Sequence, residues 1–173
     1  YALSTAIGRA AIAVVRVSGP ACASVSIPRK TTPNYQTNNA VQIYKSLCPN
    51  HPLPKARYAV LRTLYDPTQP PTPNTILDAG ALVLYFPSPR TATGEDILEL
   101  HIHGGPAITK AVLSAIAQTN TPEQTVRYAE PGEFTRRAFM NDRLSLPQIE
   151  ALGDTLSADT EQQLSLIHIS EPT

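Results

Sequence analysis

Residues 93–106, TGEDILELHIHGGP, constrain the fold of this chain more than any other segment. After two carboxylates, Glu95 and Asp96, apolar and polar residues alternate, which is the period of a strand with two unlike faces. Alternation sends Ile97, Glu99, His101 and His103 to one side and Leu98, Leu100 and Ile102 to the other. The second side is a core face. The first carries a carboxylate and two imidazoles and fits one wall of a polar ligand site. Gly104-Gly105 lets backbone approach a ligand closely, and the helix predicted over 106–118 would open on N–H groups and a positive dipole end. Within that helix Ile108, Ala111, Val112, Ala115 and Ile116 fall near one face.

The remaining periodicity completes an α+β pattern. Residues 10–17, AAIAVVRV, predict a mostly buried strand with Arg16 inside it, and Ser18-Gly19-Pro20 starts a short helix. Residues 57–64, 78–86 and 126–129 predict further strands. From residue 131 the pattern turns helical. Residues 133–140 form one helix, and a second begins at Ser145, with Gln148 closing a capping box and Leu144 and Ile149 placed as a hydrophobic staple. Its stripe of Ile149, Leu152 and Leu156 has no partner in the sequence that follows. The chain therefore reads as an α+β domain plus the first piece of a helical domain.

Two segments stand apart. Nine of the 17 prolines crowd between Pro28 and Pro73, and residues 25–42 show neither period, so they read as an irregular insertion. Its ends are compatible with splice signals, as in a retained in-frame intron, and equally with a natural polar loop; genomic codons incompatible with those signals would remove the first idea. Residues 164–173, LSLIHISEPT, match a frame of a sequencing adapter and are set aside, His168 with them. The chain opens at Tyr1 without Met, so any targeting peptide would be missing from it.

With 14 basic against 14 acidic residues, no general field draws the chain to nucleic acid or anionic lipid. Cys22 and Cys48 are too few for a disulfide framework. Neither GxxxxGK[ST] nor GxGxxG occurs after a strand, so nothing in the sequence cradles a nucleoside triphosphate. His101 and His103 could ligate a metal with Glu99 or Cys48, but no third ligand is tied to them by spacing, and we expect no metal site. Serine and aspartate are scattered without a nucleophile elbow, and no catalytic residue is assigned. Arg16 needs an anion if it is buried; Glu99 from a neighbouring strand is one partner, and snorkelling at a sheet edge is the alternative. Arg136, Arg137 and Arg143 surround Phe139, as a solvated helix face or as a contact for RNA phosphate or a ligand carboxylate.

Three blocks in order, GRAAIAVVRVSGP (8–20), TGEDILELHIHGGP (93–106) and PGEFTRRAFMNDRLSLPQIEALGDTL (131–156), resemble the N-terminal region of the MnmE/TrmE tRNA-modification GTPases. PKARYA (54–59) and LDAGALVLYFPSP (77–89) fit as well. The resemblance implies a mixed-sheet domain like the folate-dependent aminomethyltransferases over residues 1–130, which binds folate and dimerises. Residues 131–163 would start the helical domain. GTP, with Mg2+ and K+, would be bound only by a G domain absent from this sequence. It further implies a homodimer that works with an MnmG-type flavoprotein on the wobble uridine of tRNA. The intron-like segment and the long insertions favour a mitochondrial member of the family, with a cytoplasmic one as the alternative.

The family's folate contacts carry onto Arg16, Glu99 and Arg143. Glu99 would accept from the amino and ring N–H groups of the pterin of 5-formyl-tetrahydrofolate or a related form, while Arg16 and Arg143 would suit the glutamate tail or the formyl-bearing edge. Bacterial members usually have Lys where Arg143 stands, which keeps the charge and changes the donor fork. Ala6-Ile7 also departs from the small or Pro-Gly residues common before Gly8-Arg9. Two further readings stay open: an independent folate-dependent aminomethyltransferase-like enzyme, and a non-catalytic dimerisation module.

Overall fold

The structure, a computed structural model, describes residues 1–6, 8–19, 39–122 and 125–158. Ile7, Pro20, Cys22, residues 25–38 of the expected insertion and the tail 164–173 lie outside the described residues, while Ser18 and Gly19, expected to end the strand and start a helix, are still paired in it opposite Ile97 and Asp96.

Five strands form one sheet: β1 (Ala2–Leu3), β2 (Ile12–Gly19), β3 (Val60–Tyr65), β4 (Ile76–Phe86) and β5 (Asp96–His103), in the order β1-β2-β5-β4-β3. Every pairing among them is antiparallel, where the resemblance implied a mixed sheet. A parallel pair needs a long crossover between its strands. Here β4 and β5 are joined by a loop at one sheet end, and a 3-10 turn at Pro73–Thr75 leads into β4 beside β3.

Alternation in β5 holds as expected. Leu98, Leu100 and Ile102 are buried on one face; on the other Glu99 and His101 are half-buried and His103 is exposed. The first long strand differs from its expected burial. Ala13, Val15 and Val17 are buried, but Val14, Arg16 and Ser18 are only half-covered and Ile12 is exposed, because just one face of the sheet is roofed by helices. That core face, with Ala81, Val83 and Leu64 added, packs under α1 (Asn39–Leu47) and α2 (Pro106–Gln118). Helix α2 has the expected bounds and buries Val112, Ala115 and Ile116.

Helix α1 corrects the expected insertion at its end. Residues 39–42 are helical, and Ala40, Ile43, Tyr44 and Leu47 are fully buried at helical spacing. That stripe is visible in the sequence once the polar residues before it are separated from it. Cys48 closes the helix in the core, where burial pushes its thiol up to about 12. It lies on the helix-covered side of the sheet, away from the histidines of the opposite face.

The residues 126–129 do not form the expected strand. They run beside the first residue, with the Ala129 N–H donating to Tyr1 O at 2.8 Å and the Tyr1 amino group to Arg127 O at 2.9 Å, too few bonds for a ladder. Helices α3 (Glu133–Met140) and α4 (Leu146–Ser157) follow. The Ser145 N–H donates to Gln148 Oε1 at 2.9 Å, which completes the expected capping box. No residue of α4 is buried, and Leu146, Leu152 and Leu156 remain exposed. No helix among the described residues is long and apolar enough to cross a membrane.

Candidate functional site on the outer sheet face

The uncovered face of the sheet carries the residues that the sequence placed together. Strand register sets Arg16 directly opposite Glu99, and Val14 opposite His101. Arg16 Nη2 and Nε lie 2.7 and 2.9 Å from Glu99 Oε1. The snorkelling alternative is thereby removed, since the guanidinium is satisfied by a cross-strand carboxylate. Among the described residues Glu99 Oε2 has His101 Nε2 alone as a hydrogen-bonding neighbour, at 3.4 Å, so it keeps acceptor capacity for a ligand.

Beside this pair lies a cavity of about 290 Å³ lined by Arg57, Phe86, Ile97, Glu99, Arg143 and the 90–92 stretch of Arg90, Thr91 and Ala92. Thus Glu99 and Arg143 share one cavity, while Arg16 does not line it and holds Glu99 from the next strand. Arg143 reaches the site from beyond α3. Asn141 Nδ2 donates to Thr93 O at 2.7 Å, and Arg143 Nε donates to Thr91 O at 3.0 Å. These bonds tie the end of the helix to the loop before β5.

The loop itself is anchored by buried polar groups. Asp96 accepts from Tyr85 Oη at 2.8 Å and from the Ser88 N–H at 2.7 Å. Glu95 accepts from Ser18 Oγ at 2.8 Å and, with both oxygens, from Arg137 Nη1 at 3.0 Å. Arg137 also reaches Glu133, at 2.8 Å, and Glu133 pairs with Arg127 through two bonds of 2.8 and 2.9 Å. The expected basic group around Phe139 therefore divides. Arg137 turns inward to the two carboxylates, Arg136 faces Glu130 at 3.7 Å, and only Arg143 faces the cavity.

His103 is held apart from Glu99 at the far end of the strand. The Asp78 carboxylate accepts from the His103 N–H at 2.8 Å, from Gly80 N–H at 2.9 Å, and lies 2.9 Å from His103 Nδ1. Burial alone would raise the Asp78 carboxyl, but the bonds from Gly80 and His103 outweigh it and leave it below the usual carboxylate range. Among the described residues no group of three His, Cys, Asp or Glu side chains is placed to hold a metal ion. The diglycine also has a packing role. A Cβ on Gly104 would lie 2.4 Å from Ala10 O, so the close approach there is to the chain's own backbone.

Residues 1–143 match the family described as GTP-binding protein TrmE N-terminus. The chain belongs to this family. It is 42% identical over 164 residues to the mitochondrial tRNA modification GTPase mss1 of Schizosaccharomyces pombe, covering 95% of this chain and 28% of that protein. It is 43% identical over 163 residues to a mitochondrial 5-taurinomethyluridine-tRNA synthase subunit of Homo sapiens, covering 94% and 28%. A similar match, 42% over 161 residues, is to the tRNA modification GTPase MnmE of Hamiltonella defensa, covering 93% and 29%. The chain thus spans under a third of the length of the curated relatives it matches.

In this TrmE N-terminal segment the residues that sequence reasoning missed are Arg57, Phe86 and Arg90, which come from two loops and a strand end separated by some thirty positions. No local pattern connects them. Gly94 is the point where the loop before β5 packs closely against the end of α3. Its φ is +79°, and a Cβ there would lie 2.7 Å from Asn141 Cβ and 3.2 Å from Arg143 Cγ. Gly94→Ala is expected to cost about 1–3 kcal/mol and to displace Arg143. Chemical denaturation checks the first part, and an unchanged midpoint rejects the close-packing account.

Proposed function

We propose that the outer-face cavity binds the pterin end of a tetrahydrofolate, 5-formyl-tetrahydrofolate or a related form, in a protein that modifies the wobble uridine of tRNA. The observation that carries this reading is Glu99: a carboxylate fixed by Arg16 through one oxygen, with acceptor capacity left on the other, at the wall of a cavity that also holds Arg143. The adjacent amino and ring N–H donors of a pterin suit such an acceptor, and Phe86 and Ile97 offer apolar surface to a flat ring. In this reading Arg16 positions Glu99, and Arg143 takes an anionic part of the ligand. When bound, the folate supplies a one-carbon unit for the C5 methylene of an aminomethyl-type modification.

The names of the matched relatives support the tRNA-modification role, and the mitochondrial designation of two of them supports that location. GTP hydrolysis, with Mg2+ and K+, belongs in this reading to a G domain outside the present sequence. An MnmG-type flavoprotein is the proposed partner on tRNA. The uncovered sheet face supports a homodimer, because Leu61 and Leu82 are register neighbours there, 66% and 38% exposed.

Titration calorimetry of the full-length protein with 5-formyl-tetrahydrofolate tests the site. Saturable heat is expected, and no saturation up to millimolar ligand rejects it. Light scattering should give twice the monomer mass, and a monomer at high concentration removes the dimer. A dimer that binds no folate favours the non-catalytic module.

A further inference from the structure

We propose that the cavity is built for a folate with several γ-linked glutamates, and that Arg57 and Arg90 read this oligoanionic tail. The inference rests on the folate reading of the same site. Its basis is an imbalance of charge. Three arginines, Arg57, Arg90 and Arg143, line the cavity with one carboxylate, Glu99, which Arg16 already neutralises. Among the described residues none of those three guanidinium groups pairs with a carboxylate.

Two of them converge on the short stretch of backbone that carries the third, Arg90. The Arg57 guanidinium donates to Arg90 O, and Arg143 donates to Thr91 O. Arg57 is steered there by its own backbone. It has a φ of +66°, its N–H donates to Tyr85 O at 2.8 Å, and its guanidinium carbon lies 5.9 Å from the centroid of the Phe86 ring. A guanidinium carries five N–H donors, so a single carbonyl leaves most of each fork unused. Like charges gathered without a counter-charge repel one another, and an anionic ligand relieves that repulsion.

Size decides how the ligand is divided. At about 290 Å³ the cavity is at the lower end of small-molecule sites, which run to about 1,000 Å³, so it suits a bicyclic head beside Glu99. The tail then extends over the rim, where Arg57 and Arg90 are exposed. A monoglutamyl tail offers two carboxylates, and each added γ-linked glutamate contributes one more. Arg143 can meet the first glutamate, and the two rim arginines meet those that follow. A run of RNA phosphates fits this lining less well, because Glu99 keeps an acceptor oxygen in the same cavity that phosphate oxygens, acceptors themselves, cannot satisfy.

The test compares monoglutamyl with pentaglutamyl 5-formyl-tetrahydrofolate by calorimetry on the full-length protein. The pentaglutamyl form is expected to bind about five- to tenfold more tightly at low salt, with the ratio shrinking as salt screens the rim. In the Arg57→Gln, Arg90→Gln double variant the ratio should fall to near one. Monoglutamyl binding by that variant serves as its folding control, and Arg90→Gln alone repeats the test should the double variant misfold. Equal affinities for the two forms overturn the proposal while leaving folate binding intact. An unchanged ratio in the variants, or loss of RNA binding in place of the tail effect, overturns the assignment to Arg57 and Arg90. Failure of both forms to bind removes the folate reading itself and this inference with it.

Discussion

Glu133→Gln is expected to lower stability by on the order of 3 kcal/mol at neutral pH. Glu133 is 3% exposed and accepts from Arg127, Arg137 and the Glu130 N–H at 2.8–3.2 Å. Burial opposes its charge, but these donors dominate and hold its carboxyl at about 2. A glutamine amide would set its N–H groups against donors and leave Arg127 and Arg137 short of an acceptor. Arg137 also grips Glu95 beside the cavity, so the loss spreads to the loop before β5. The pH signature has a definite sign. A depressed carboxylate contributes stability that is fully present above its unfolded value, about 4.3, and lost as pH falls towards its folded value. Asp78 is depressed in the same direction. The wild-type protein should therefore lose stability between roughly pH 4 and 2, and the variant should lose less over that interval. Urea denaturation across this range checks both statements. A midpoint indistinguishable from wild type at pH 7 would count against the network.

Glu99→Gln is expected to weaken binding of 5-formyl-tetrahydrofolate by about a hundredfold. The substitution keeps size and hydrogen-bonding atoms, but it removes the charge that faces Arg16 and turns one acceptor into a donor. Since Arg16 is about one-third exposed, water can replace its lost partner, and the fold should tolerate the change. The measurement is calorimetry on wild type and variant, with thermal denaturation as the control. Wild-type affinity in the variant rejects Glu99 as the pterin acceptor. Arg16→Met separates direct contact from positioning. If Arg16 acts through Glu99, its variant weakens folate binding without removing the preference for a longer tail.

Much of this architecture could be read from local pattern. The two-residue period of 97–103 assigned both faces of β5, and the capping box at Ser145 and Gln148 placed the start of α4. The 3.6-residue stripe in 106–118 gave α2 its bounds. Each of these is a short-range consequence of backbone geometry. Where pattern failed, the cause was context. Residues 126–129 have strand-forming types but lack a long neighbour to ladder with, and Ala40 in α1 was hidden by the polar stretch before it.

The sequence alone determined that Glu99 would share a face with His101 and His103, because side-chain direction in a strand is a local matter, while for Arg16 it left an anionic partner and snorkelling at an edge both open. It also supplied the family. Only the tertiary structure decided that β2 lies against β5 in the register that sets Arg16 opposite Glu99. Likewise, only folding brought Arg57, Arg90 and Arg143 to one cavity and sent Arg137 across to Glu95. Those residues come from segments far apart in the chain. Their meeting depends on strand order and on a close approach at Gly94, neither of which has a signature within any single window of residues.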